Sequence, residues 1–222
     1  FNDYKDLIEI IVKLQNINLQ RNYHLGKFKI NFQSHSINNL HKESDLFFDW
    51  YLKFCTKKVK IKKVKKILKT ELNKIYKNLY FKNDTFVHRD FHASNVMVNK
   101  KKFGLIDSQD AIIGNPLYDV VSLIDDVRIR LPNHLQDRLL KYYHSRSMLR
   151  YEKYQRLKDD YDILSIQRNL KILGIFVRLY KRDNKSIYLK YLPYTWTLIE
   201  RRLKNPMLKN FHYLLKKHLK LK

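Results

Sequence analysis

The sequence predicts an α+β protein, predominantly helical, with a few short strands in its middle. Three observations predict it. Apolar residues recur at steps of three and four along most of the 222 positions, the period of an amphipathic helix. Between Thr85 and Asp107 that period gives way to three short apolar runs separated by polar turns, the pattern of strands. A hydrophobic fraction of 44% and an aromatic fraction of 14% over this length suffice for a buried core.

Residues 4–17 read as a helix with Leu7, Ile10 or Ile11, Leu14 and Ile17 on one face. Residues 18–40 are polar and aperiodic, which predicts a long connection. Residues 43–55 predict a short helix with a bulky aromatic face. In the lysine-dense segment 58–80, Ile61, Val64, Leu68, Leu72, Ile75 and Leu79 keep helical spacing, so its lysines fall on the outward faces. Strands follow at Thr85–His88, Asn95–Val98 and Phe103–Asp107, the last two joined as a hairpin through the polar turn 99–102. A loop around Gly114, Asn115 and Pro116 precedes a helix from Tyr118 to about residue 127. Pro132 and Asn133 mark the start of another, reaching about 147. Residues 161–181 carry the widest apolar stripe and predict a central buried helix. Helices over about 187–203 and 207–219 close the chain. No internal repeat is visible.

Lys+Arg 46 against Asp+Glu 21 gives a net charge of +25. A nucleic-acid partner is one explanation, since basic surfaces neutralise phosphates. Composition supplies a simpler one. Alanine occurs only at Ala93 and Ala111 and glycine only four times, whereas Lys, Asn, Ile, Tyr and Phe abound. That is the imprint of an AT-rich genome, and it makes nucleic-acid binding the weaker reading. The charge still favours anionic small molecules such as nucleotides. No apolar stretch has the length of a membrane span, and no signal-peptide layout opens the chain. The single Cys55 excludes an intrachain disulfide and reads as a small apolar core residue. These features together predict a cytoplasmic protein without a membrane partner.

The informative segment is His88-Arg89-Asp90-Phe91-His92-Ala93-Ser94-Asn95, followed by Asp107. A loop leaving a short strand can aim Asp90 at a hydroxyl, accepting its proton or orienting its attack. Asn95, at the far end of that loop, offers a neutral carbonyl oxygen to a hard cation. The hairpin then returns Asp107 beside Asn95, so that a carboxylate can join the same ion. Magnesium takes few protein oxygens and completes its shell with phosphate and water, which suits one Asn and one Asp. Phosphoryl transfer needs positioning and charge neutralisation more than covalent chemistry from the protein. Of the neighbours, His88 reads as packing behind the loop and Asp119 as support from a helix start. Arg89, His92 and Asp110 are candidate substrate or phosphate contacts.

The segment 88–95 resembles the His-x-Asp-x-x-x-x-Asn catalytic loop of kinases, and Ile106-Asp107 resembles their metal-binding Asp. The continuation Asp107-Ser108-Gln109-Asp110-Ala111, then Gly114-Asn115-Pro116-Leu117-Tyr118-Asp119, departs from protein kinases. It is similar to the aminoglycoside phosphotransferase and choline kinase family, most of all to bacterial cell-wall sugar kinases acting on N-acetylmuramate and N-acetylglucosamine. Asp45–Leu52, Gln167–Arg178 and Tyr188–Pro193 share that likeness. The resemblance implies that residues 1–222 form the C-terminal, catalytic and substrate-binding lobe of a protein-kinase-like fold, with short strands carrying the catalytic loop and metal site. It implies ATP and Mg2+ as cofactors and a small hydroxyl substrate, an amino sugar.

Two departures qualify it. Ser108 stands where the family carries a bulky residue after the metal-binding Asp, which predicts looser packing behind Asp107. No Gly-rich loop or strand with a phosphate-binding lysine precedes the motif, so the nucleotide-binding lobe is expected to be absent from this chain. Activity is then expected of a full-length parent. The alternatives are a catalytically impaired pseudokinase or interaction module, and a basic nucleic-acid-binding protein.

Overall fold

The computed structural model describes residues 1–55, 61–81, 83–100, 102–147 and 152–219. The chain divides into two units: residues 1–36 with 80–158, and residues 37–79 with 159–222. Helices dominate, and among the described residues the strands form three two-stranded antiparallel sheets. No helix among them is long and apolar enough to cross a membrane.

In the first unit, α1 (Asn2–Gln15) buries Leu7, Ile8 and Ile11. Each contributes roughly 1.5–3 kcal/mol of transfer free energy, an upper estimate. Ile17, expected on the same face, is exposed because the helix ends at Gln15. The last buried position goes instead to Gln15. Its side-chain amide donates to the Pro116 carbonyl at 2.7 Å, and its Oε1 accepts from the Tyr143 hydroxyl at 2.8 Å. Helix α1 packs on a later helix (Asn133–Arg146), where Glu9 accepts from the Tyr142 hydroxyl and the Arg146 guanidinium, each at 2.6 Å.

The expected long connection at 18–40 contains a hairpin, β1 (Asn22–Leu25) and β2 (Phe28–Asn31). Gly26, at φ 58°, turns the two-residue loop, a left-handed conformation that costs glycine little. The polar composition concealed this pair because both faces of β2 are exposed.

In the second unit, α2 (Ile37–Leu46) runs through a π-turn (Phe47–Tyr51) into α3 (Leu52–Cys55). This element starts six residues earlier than its aromatic face suggested. Cys55 is exposed, not a core residue: of α3 only Leu52 is buried. Helix α4 (Ile61–Lys77) buries Val64, Leu68, Leu72 and Ile75 as their spacing predicts; residues 58–60 of the lysine-dense segment lie outside the described residues.

The central stripe becomes a 30-residue helix, Tyr154–Asp183, whose start precedes its apolar part by seven residues. Its Gly174 is required by a close approach. A Cβ there would lie 2.6 Å from the Phe47 nitrogen and closer still to the Leu46 carbonyl, where α2 gives way to the π-turn. Earlier in the same helix, Gln167 donates to Glu43 Oε2 at 2.9 Å. A buried set of Asp162, Ser165, Arg202 and Asn205 joins it to the chain's closing segments: Asn205 donates to Asp162 at 3.0 Å, and Arg202 to Ser165 at 3.3 Å. Those segments are Leu192–Arg202 and Lys209–Leu219, each entered through a 3-10 turn, and the latter packs on α4.

Candidate active site

Four strands of the first unit frame the loop at 88–95. Strand β3 (Thr85–Val87) pairs antiparallel with β6 (Ile112–Gly114), and β4 (Val96–Asn99) pairs with β5 (Lys102–Leu105). The β4–β5 hairpin matches its sequence expectation; Lys101 in its turn lies outside the described residues. Strand β6 was hidden, because Gly114-Asn115-Pro116 reads as a loop and Ile112–Gly114 is too short for a period. It forms because β3 takes one edge while Gln33 and His35 supply backbone bonds to Ile113 at 2.9 and 2.8 Å.

The loop is fixed at its start by α5 (Leu117–Ile124). Asp119, 2% exposed, accepts the His88 N–H at 2.7 Å with Oδ2 and the Arg89 N–H at 3.0 Å with Oδ1. Its carboxylate thus serves another segment's donors; Asn115 caps the helix, accepting the Leu117 N–H at 2.9 Å. One turn on, the Ser122 hydroxyl approaches the Arg89 carbonyl at 3.4 Å. These bonds hold Arg89 at φ 73°, a left-handed conformation that an unbranched L-residue adopts at a cost of roughly 1 kcal/mol or more.

The far side of the loop is held by a residue that sequence reasoning missed. Asp126, also 2% exposed, accepts the Ala93 N–H at 3.2 Å with Oδ2, while its Oδ1 accepts the Arg128 N–H at 3.0 Å. A signal was present: the acidic pair Asp125-Asp126 directly follows the wholly buried α5. Phe91, fully buried, anchors the loop's middle.

Within the loop, the Asp90 carbonyl accepts both the His92 N–H at 2.9 Å and the Asn95 side-chain amide at 3.0 Å. With its Nδ2 so committed, Asn95 keeps Oδ1 as an acceptor for a ligand. Its backbone carbonyl accepts the Ile106 N–H at 3.1 Å, extending the β4–β5 ladder by one position. That register sets Asp107 one residue past the partner of Asn95. Asp107 is exposed, sits at φ 70°, ψ 40°, and accepts from Gln109 Nε2 at 2.5 Å. An amide oxygen and an exposed carboxylate are the donor types a hard cation takes, so Asn95 and Asp107 fit magnesium chemically. Among the described residues no three His, Cys, Asp or Glu side chains gather to hold a metal ion.

The remaining candidates differ in burial and in partners. His88 is buried. Its imidazole is held below the usual histidine range first by desolvation, against the opposing pull of Asp90, the Ile106 backbone and Asp107. Arg89 reaches the Asp110 backbone carbonyl at 3.5 Å, so the link between them runs through the main chain of Asp110, whose residue is exposed. His92 takes part through its backbone, its carbonyl accepting the Asn95 N–H at 2.9 Å. Ser108 is exposed and opens a 3-10 turn, Ser108–Asp110.

Residues 2–158, a span that contains every candidate site residue, match the phosphotransferase enzyme family. The chain is 28% identical over 156 residues to the N-acetylmuramate/N-acetylglucosamine kinase of Neisseria meningitidis serogroup B, covering 68% of this chain and 47% of that protein. It is 32% identical over 122 residues to the kinase of the same name from Pseudomonas aeruginosa, covering 52% of this chain and 35% of that one. A Pseudomonas putida counterpart is 32% identical over 114 residues, covering 48% and 33%. The chain thus spans less than half the length of these curated relatives.

Proposed function

The chain belongs to the phosphotransferase enzyme family, and from that premise we propose that it is the catalytic side of a small-molecule kinase. The reaction moves the γ-phosphoryl group of ATP to a hydroxyl of an amino sugar, with magnesium. Residues 1–222 are read as the C-terminal lobe of a protein-kinase-like fold.

One observation carries the reading. Two buried acids, Asp119 and Asp126, grip the backbone of one loop on either side of Asp90, and the β4–β5 register returns Asp107 beside the loop's end at Asn95. Such a loop keeps Asp90 in one place without using Asp90's own carboxylate to do it. Asp90 is then the group that orients the substrate hydroxyl and accepts its proton. Asn95 and Asp107 would hold magnesium, which when bound neutralises charge on the phosphates. His88, kept neutral by burial, packs behind the loop, and Asp119 keeps its support role. Arg89, His92 and Asp110 stay candidate phosphate or substrate contacts. The names of the relatives support an amino sugar as acceptor.

The test is a substrate panel with labelled ATP and the full-length protein. N-acetylmuramate or N-acetylglucosamine should be phosphorylated in preference to choline and to aminoglycosides. Preference for choline or an aminoglycoside would overturn the amino-sugar assignment, and no transfer to any of them would overturn the kinase.

A further inference from the structure

Arg168 stands halfway along the helix Tyr154–Asp183, in the second unit, and is 4% exposed. A buried guanidinium is ordinarily paired and hydrogen-bonded, because an unpaired charge taken out of water costs heavily. This one is not. Among the described residues its Nη1 is sealed from solvent without a hydrogen bond, and the side chain has no ion-pair partner. The rest of the chain cannot supply a side-chain carboxylate, since residues 56–60, 82, 101, 148–151 and 220–222 contain neither Asp nor Glu.

The same helix shows what a satisfied arginine looks like. Arg202, equally buried, donates to the hydroxyls of Ser165 and Tyr161 at 3.3 Å and lies 3.8 Å from Asp162 Oδ1. Around Arg168 the deficit deepens instead. Lys171, three residues on and so a neighbour on the helix surface, has a side chain only 15% exposed. Its ammonium lies 3.5 Å from Glu43 Oε1, and the other oxygen of Glu43 accepts from Gln167 at 2.9 Å. One committed carboxylate thus answers two buried cations, leaving a positive charge over. By sequence the second unit has no acids to spare: 27 Lys and Arg against 9 Asp and Glu, a net +18. A field of that sign draws counter-charge from solution.

We infer that Arg168 anchors a binding site for a small oxyanion, a carboxylate or a phosphate group, whose charge the nearby Lys171 helps to balance. The planar guanidinium fork matches either group through two parallel N–H donors, which a bare halide cannot use together. The bound anion supplies the counter-charge that the chain itself leaves out. The site belongs to the second unit, and its ligand is assigned no part in the transfer reaction.

Thermal unfolding of the full-length protein tests this in chloride at constant ionic strength, with inorganic phosphate or, separately, acetate exchanged in. At least one of them should raise the melting temperature saturably, by about 3 °C at ten times its dissociation constant. The arm that responds separates a phosphorylated ligand from a carboxylic acid. Arg168→Met removes the charge at similar volume. It should leave the melting temperature in chloride unchanged or higher, as replacing an uncompensated buried charge does, and it should abolish the rise. The Arg168 Nε–H resonance, assigned by its loss in Arg168→Lys, should move with the same half-saturation. A lower melting temperature for the methionine variant in chloride would show the guanidinium already paired, and would overturn the site. An undiminished rise in that variant, a stationary Arg168 resonance, or indifference to both anions would overturn it equally.

Discussion

Asp119 holds two backbone donors at the start of the loop, and removing its carboxylate exposes how far the loop's shape depends on them. Its two oxygens satisfy two backbone donors, His88 N–H at 2.7 Å and Arg89 N–H at 3.0 Å, in a place where Asp119 itself is 2% exposed. Asp119→Ala leaves both donors unpaired. An orphaned buried donor costs about 1–3 kcal/mol, so the pair is worth roughly 4 kcal/mol, the Arg89 share being smaller because Arg89 is only partly buried. Asp119→Asn keeps one acceptor and turns an NH2 toward the other donor, costing roughly 2 kcal/mol plus the loss of charge assistance. For a chain of this size that corresponds to a fall in melting temperature of about 10 °C for the alanine variant and about half of it for asparagine. Amide hydrogen exchange locates the effect: His88 and Arg89 should lose protection in both variants, by roughly thirty-fold for each 2 kcal/mol. Unchanged exchange at both amides, with a melting temperature within a degree of the original, would refute the claim that Asp119 holds the loop.

Two further outcomes follow from the same structure. Gly174→Ala places a methyl group on the backbone of Leu46 and Phe47, which cannot step aside as a side chain would, so the loss should reach at least about 3 kcal/mol in urea unfolding; a neutral substitution would contradict the crossing. The His88 imidazole is held below its ordinary range by burial, so the unfolded chain takes up a proton that the folded chain resists. Its contribution to stability is full above about pH 6.5, the unfolded value, and declines as the pH is lowered from there through the folded pKa. A ring titration followed by NMR should show a pKa under 6.5, and a value at or above it would contradict the burial.

The sequence announced the parts of this protein that depend on local pattern and hid those that depend on partners. Val64, Leu68, Leu72 and Ile75 repeat at helical spacing, and the polar turn between two apolar runs marks the β4–β5 hairpin; both could be read without a structure. Strand β6 could not, since three residues have no period and its bonds come from β3 and from residues 33–35, distant in sequence. The same holds for the site. Asp90, Asn95 and Asp107 stand out by spacing alone. Asp126 does not, because its task is to accept an N–H from Ala93, 33 residues earlier. For Asp119 the expected reason was the free N–H groups of its own helix, and nothing in the sequence signalled that its carboxylate also reaches back to the His88 and Arg89 N–H groups. Cys55 failed for another cause: its small apolar character suggests burial, but Leu52 is the residue of α3 that is buried.

The central claim is that Asp90 performs phosphoryl transfer to a sugar hydroxyl, and a single comparison tests it. Transfer of label from γ-labelled ATP to N-acetylmuramate is followed in the full-length protein and in its Asp90→Asn variant, with circular dichroism confirming that both are folded. The Asp90 carbonyl, which carries the internal bonds of the loop, is retained by asparagine, so the fold should be indifferent to the change. The account predicts a loss of turnover of about 10²- to 10⁴-fold, the range for removing a positioned general base. Turnover by the Asp90→Asn protein within a few-fold of the original would contradict it.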